Sequence, residues 1–161
     1  RPTAQEVCRR RPLRGRGAEQ RLSNLTGRAY WLEGSPSCAG HGIGLMPWSP
    51  LARGLLAGSL EPAKVGRRTH ADVKKDIETS RPKLEAYEAL CRQLGERPAD
   101  VALSWLLHQK AVTSPIIGPR TMEQLNGTMR VLSLTLSQET LKRLDEIFPG
   151  PGGPAPEAYA W

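Results

Sequence analysis

Two short candidate strands set the terms of the fold. Ile43-Gly44-Leu45-Met46-Pro47 and Val112 to Ile117 lie about 65 residues apart, with two helical patterns between them. In the first, unbroken apolar character without period-two alternation suits a short parallel strand covered on both faces, although periodicity alone leaves a buried helix segment open. Parallel strands cannot be joined by a tight hairpin and need a crossover, which the intervening helices supply. The order strand, helices, strand, helix therefore predicts an α/β fold with a parallel sheet.

The helical patterns have local punctuation. Ser80-Arg81-Pro82 can start a helix, with Leu84, Tyr87, Leu90, Cys91 and Leu94 forming one stripe that Gly95 closes. Pro98 opens a second helix, running to about Gln109. Thr121 and Gln124 have the spacing of a capping box, and a further helix begins near Ser137 with Leu141, Leu144 and Ile147 on one face. The polar stretch from Glu61 to Thr79 reads as a long excursion. The domain reading is a basic segment over residues 1–19, an α/β unit over 20–148 and a Pro/Gly-rich tail over 149–161.

Charge enters the argument through its placement. The net charge is +7, yet seven arginines against Glu6 and Glu19 put +5 of it in residues 1–21. The Arg9-Arg10-Arg11 cluster could meet a polyanion, or form a solvated, frayed helix; no aromatic residue is interleaved before Tyr30 to stack on bases, which argues against nucleic acid. The longest apolar stretch, Val101 to Leu107, is broken by Ser104 and far short of the roughly 20 residues that span a bilayer, so no membrane partner is expected. Cys8, Cys38 and Cys91 are odd in number and not in CxxC pairs, which indicates neither a disulfide framework nor a zinc site and fits a cytoplasmic setting.

Two turns could carry chemistry, because ligands of α/β folds gather where parallel strands end. In Trp48-Ser49-Pro50-Leu51-Ala52-Arg53-Gly54, Ser49 offers a hydroxyl and Gly54 a close backbone approach, which could present donors to a phosphate; an ordinary βα turn is the alternative. In Gly118-Pro119-Arg120-Thr121, Arg120 stands beside a helix start whose free N–H groups and positive dipole end favour an anion. A plain capped helix with a solvated arginine is the alternative there. His41, His70 and His108 lie beside no Ser, Cys or carboxylate in a catalytic pattern, and Tyr87 is expected to pack on its own helix stripe.

Residues 42–58, GIGLMPWSPLARGLLAG, resemble the seventh-strand segment of aldo-keto reductases. Val101 to Leu107 is similar to that family's VALAWLL helix, and Ile116-Ile117-Gly118-Pro119-Arg120-Thr121 with Gln124-Leu125 to its eighth-strand cofactor segment. Gln20, Asn24, Leu25, Arg28, Pro36 and Cys38 fall at the offsets expected around its sixth strand, and the ending, Pro154 to Trp161, looks like a family terminus.

The resemblance implies the carboxy-terminal half of a (β/α)₈ TIM barrel with about three parallel strands, from an enzyme that uses NADPH to reduce aldehydes or ketones. By carry-over, Gln20 would contact the nicotinamide side, Ser49, Pro50, Leu51 and Gly54 would line the pyrophosphate, and Gly118, Arg120 and Gln124 would hold the 2′-phosphate end. Arg120 favours NADPH over NADH. The family's catalytic Asp, Tyr, Lys and His belong to earlier strands, so no catalytic and no metal-binding residue is expected here and the chain alone should be inactive. Ser23 stands where the family has a tyrosine that stacks on nicotinamide, while Gly127 and Thr128 stand in place of its adenine-side Glu and Asn. A small-molecule carbonyl substrate would then require an amino-terminal half, and exposed strand edges would invite self-association. The alternatives are a non-catalytic NADPH-binding remnant or an inactive gene fragment, and polyanion binding through the amino-terminal arginines.

Overall fold

The apolar run predicted as a strand is one: β2 spans Gly44–Trp48 and pairs in parallel with β1, Ala18–Leu22, with Gln20 opposite Met46 and Leu22 opposite Trp48. In this computed structural model the described residues are 17–28, 38, 43–61 and 67–150. The readings that fall on the arginine cluster, Cys8, Tyr30, His41 and the tail beyond residue 150 lie outside them.

The second run sits on the other side of β2. Leu45 N–H donates to the Ala111 carbonyl at 2.9 Å, Thr113 N–H to the Leu45 carbonyl at 2.9 Å, and Ile116 N–H to the Pro47 carbonyl at 2.8 Å. Residues 111–116 thus run beside β2, parallel to it, but make a single regular bridge, between Leu45 and Val112. Two prolines explain why the expected strand stops there. The next rung needs N–H donors from residues 47 and 115, and both Pro47 and Pro115 lack one. Ile116 supplies the donor one residue late.

The strand β2 is not covered on both faces as its composition suggests. Leu45 is fully buried and Pro47 buried with it, whereas Met46 is half-buried and Trp48 is 47% exposed. Alternate side chains point to opposite faces, and the Leu45 and Pro47 side is the covered one. Gln20, Leu22, Met46 and Trp48 share the other face, where Leu22 is 50% exposed.

Four α-helices lie among the described residues: α1, Ala71–Leu94; α2, Pro98–Leu107; α3, Met122–Met129; and α4, Gln138–Ile147. Helix α1 starts nine residues before the expected Ser80, so the supposed excursion is helical from Ala71 on. Val73 and Ile77 are buried and extend the stripe of Leu84, Tyr87 and Cys91 toward the amino end. Pro82 is inside the helix on its exposed side, and the Arg81 guanidinium meets Glu78 and Glu85 around it. The other boundaries follow local chemistry. Gly95, at φ +68°, closes α1 in the left-handed conformation; Thr121 and Ser137 hydroxyls cap α3 and α4 by accepting from Gln124 and Thr140 N–H.

The core lies where α1, α2 and α4 meet: Leu84, Tyr87, Leu90, Val101, Trp105, Leu106, Leu144 and Phe148 pack with Leu55 and Leu56 from the segment after β2. Tyr87 is packed as expected; its hydroxyl donates to the Pro98 carbonyl and its ring meets Phe148 edge-on at 5.7 Å. Among the described residues no helix is long and apolar enough to cross a membrane.

Candidate functional site

The turn after β2 is held in an unusual backbone shape. Ser49 (φ +55°), Ala52 (+47°) and Arg53 (+59°) are all left-handed without being glycine, and Gly54 follows at +105°. Each such non-glycine residue costs of order 1 kcal/mol or more and persists where surrounding contacts over-determine it. Those contacts are visible. The Ser49 carbonyl accepts from Ala52 N–H at 3.0 Å and from the Asn24 side-chain amide at 3.0 Å; the Leu51 carbonyl accepts from Gly54 and Leu56 N–H.

Asn24 is the hub that sequence reading left as a mere offset match. Its Oδ1 accepts from Thr26 N–H, the Thr26 hydroxyl and Gly27 N–H, while its Nδ2 reaches the Ser49 carbonyl. It thereby fastens the turn after β1 to the turn after β2. Ser23, immediately before it, is fully buried, with an Oγ that has no hydrogen-bond partner. No ring at that position faces outward.

On the far side of the turn, Arg53 pairs with Asp72 in the first turn of α1 and lies 3.6 Å from Asp76. The hydrogen bond from Arg53 holds the Asp72 carboxyl below its ordinary range. Gly54 faces Arg68, whose Cγ would lie 3.1 Å from a Cβ there. Pro50 is buried and Leu51 packs on the core, so both support the turn from beneath.

The second turn leaves residues 111–116 for α3. Gly118, Arg120 and Gln124 are exposed. The reciprocal cap forms with a shift of one residue: Gln124 N–H donates to the Thr121 hydroxyl at 3.2 Å, while Gln124 Oε1 accepts from Arg120 N–H at 2.7 Å rather than from Thr121. The Gln124 carbonyl oxygen is thus engaged, which leaves its NH₂ to face outward. Met122 and Glu123 contribute first-turn N–H groups that an α-helix cannot satisfy internally, and Glu123 adds a carboxylate to the same turn. Because β2 and residues 111–116 run parallel and adjacent, the Ser49 and Arg120 turns leave corresponding ends of neighbouring segments. Gln20, on β1, lies in register with Met46, two residues before that end.

Remaining candidates have structural surroundings. His70 caps α1 by position, without a side-chain bond. His108 bridges α2 to the approach to α4: its Nδ1 lies 2.8 Å from the Ser104 carbonyl and its Nε2 accepts from Leu136 N–H at 3.3 Å. Cys38 and Cys91 are buried and not disulfide-bonded, and burial pushes the Cys91 thiol up to about 12. Among the described residues no group of three His, Cys, Asp or Glu could hold a metal ion.

Residues 33–148 match the aldo/keto reductase family. The chain is 44% identical to the uncharacterised oxidoreductase YrpG of Bacillus subtilis over 160 residues, 98% of this chain and 48% of that protein. It is 33% identical to L-glyceraldehyde 3-phosphate reductase of Escherichia coli O157:H7 over 66% of this chain and 34% of that protein. It is 28% identical to norsolorinic acid reductase A of Aspergillus parasiticus over 71% of this chain and 28% of that protein. The chain thus spans about half the length of the first relative and smaller shares of the others. With the matched region covering both turns and the four helices described above, the chain belongs to the aldo/keto reductase family.

Proposed function

We propose that this chain is the cofactor-binding, carboxy-terminal half of a (β/α)₈ barrel that reduces aldehydes or ketones with NADPH. Its relatives are named as oxidoreductases and reductases. The observation that carries the reading is that the two candidate turns, at Ser49 and at Arg120, lie beyond corresponding ends of adjacent parallel segments. Ligands of α/β folds collect at that end.

The residues present fit an extended dinucleotide. Ser49, Pro50, Leu51 and Gly54 would receive the pyrophosphate on the left-handed turn. Gly118, Arg120 and Gln124 would hold the 2′-phosphate, with the first-turn Met122 and Glu123 N–H groups at the same helix start. Gln20, exposed on the uncovered face, would meet the nicotinamide amide. NADPH, when bound, supplies a hydride; this chain's part is to orient the cofactor, and proton donation is assigned to residues outside it. Buried Ser23 offers no ring to stack on nicotinamide, so on this reading that face is covered by other groups.

The test is titration of the chain, and of a chimera carrying it behind the amino-terminal half of YrpG, with NADPH and NADH by fluorescence. Tighter binding of NADPH that Arg120→Ala abolishes, with NADH binding unchanged, supports the assignment. A folded chimera that binds neither cofactor, or an Arg120→Ala variant that keeps the NADPH preference, defeats it.

A further inference from the structure

Helix α3 has no fully buried residue, only Leu125, Gly127 and Thr128 half-buried, so polar contacts carry much of its placement. Across from it, at the start of α2, the Arg97 guanidinium is gripped at two points by Asp100: Nε to Oδ2 at 2.8 Å and Nη2 to Oδ1 at 2.9 Å. Asp100 is 1% exposed, so the fork is anchored in the protein interior. The same Nη2 donates to the Gly127 carbonyl of α3 at 2.8 Å. Just past α3, Arg130 meets Glu96 at 2.5 Å and brings its Nε to 3.5 Å from Asp100.

Gly127 is explained by this fork. It has no positive φ, and glycine is disfavoured against alanine inside a helix. A Cβ there would lie 2.9 Å from Arg97 Nη1 and 3.0 Å from Nη2. The missing side chain is what lets the guanidinium seat on the helix.

We propose that Arg97 and Asp100 are positioning residues for the anion-receptive start of α3: the fork fixes the helix near its carboxyl end and thereby aims Arg120 and the Thr121–Gln124 cap. The positioning role rests on the phosphate reading of that helix start. An eight-residue helix is about 12 Å long, so a tilt of about 10° at one end moves the other by about 2 Å, most of a hydrogen-bond length.

The probes are adenosine 2′,5′-bisphosphate and adenosine 5′-monophosphate, with backbone hydrogen exchange followed over residues 122–129 and circular dichroism confirming the fold. The wild type is expected to prefer the bisphosphate. In Arg97→Gln, α3 amides exchange at least tenfold faster and the preference falls at least fivefold; Arg97→Lys, which keeps the charge without the planar fork, restores neither. Gly127→Ala is the discriminating variant. It strengthens the helix while pushing the guanidinium away, so exchange should not accelerate, yet the preference should fall as in Arg97→Gln. Unchanged exchange in Arg97→Gln overturns the clamp. An undiminished preference in Gly127→Ala overturns the positioning role and reduces the fork to a brace. A wild type without any preference refutes the phosphate reading and with it the positioning role, while accelerated exchange would still identify the clamp.

Discussion

Replacing Arg28 by methionine removes a charge that the structure has enclosed, and the cost can be worked contact by contact. The Arg28 side chain is 9% exposed. Its guanidinium lies 4.5 Å from the centroid of the buried Trp105 ring, Nε donates to the Leu25 carbonyl at 3.1 Å, and Nη1 meets Asp145 at 2.5 Å. A largely desolvated cation–π contact is worth about 1–2 kcal/mol. A charged donor to a backbone carbonyl adds about 1.5–3 kcal/mol. The pair with Asp145 adds at most about 1 kcal/mol, since that carboxylate is 58% exposed and water screens it. Methionine keeps the stem and its packing, so Arg28→Met should cost about 2.5–6 kcal/mol, and Arg28→Lys, which keeps charge but not the fork, about 2 kcal/mol.

Urea unfolding followed by far-ultraviolet circular dichroism measures both, and a double-mutant cycle with Asp145→Ala separates the pair from the rest. The expected coupling is under about 1 kcal/mol. If Asp145→Ala alone destabilises as much as Arg28→Met, or if Arg28→Met costs less than about 1 kcal/mol, the assignment of the energy to Trp105 and Leu25 is wrong.

Gly54→Ala should destabilise by more than about 1 kcal/mol, because φ +105° is closed to an L side chain and its Cβ would press on Arg68; an unchanged urea midpoint would show that the turn relaxes freely. The two bonds of His108 require a neutral ring with the proton on Nδ1, since Nε2 accepts from Leu136 N–H. Nitrogen-15 NMR should report that tautomer, and the Nε2–H form would contradict the geometry. The buried Cys91 thiol, pushed up to about 12, should resist alkylation at pH 8 until the chain unfolds. It also gives stability a sign at high pH: above pH 9 the unfolded thiol loses its proton first, so stability should fall as pH rises toward 12.

What could be read from the sequence was decided by short-range chemistry. The caps at Thr121 and Ser137 and the stop at Gly95 each depend on residues within one turn, and each sits where the spacing placed it. The start of α1 depends instead on burying Val73 and Ile77 against distant elements, so a polar stretch with a proline downstream gave no local cue. The strand near Val112 is curtailed by a coincidence of two prolines 68 residues apart, visible only once Pro47 and Pro115 face the same rung. The two turns were legible as motifs, because glycine, proline and a capping pair mark them. Their supports were not: Asn24 meets Ser49 across 25 positions, and Arg97 meets Gly127 across 30.

Those supports differ in kind, and the difference can be measured. Both turns emerge from a core held by apolar packing, but each is aimed by directional polar bonds, as suits elements that must face solvent and a ligand. Arg53 and Asp72, at the first turn, are 44% and 61% exposed, so salt screens them. Asp72 has its carboxyl held low by the Arg53 hydrogen bond, so the link is complete at neutral pH and is lost as pH falls through that lowered value. At the second turn, Arg97 is exposed but the side chain of its partner Asp100 is buried, which shields that fork from ionic strength. Hydrogen exchange across residues 49–58 and 122–129 should therefore diverge. Raising salt should loosen the turn after β2 first, while α3 keeps its protection. Equal loosening of both would mean that buried Asp100 gives Arg97 no advantage over an exposed pair.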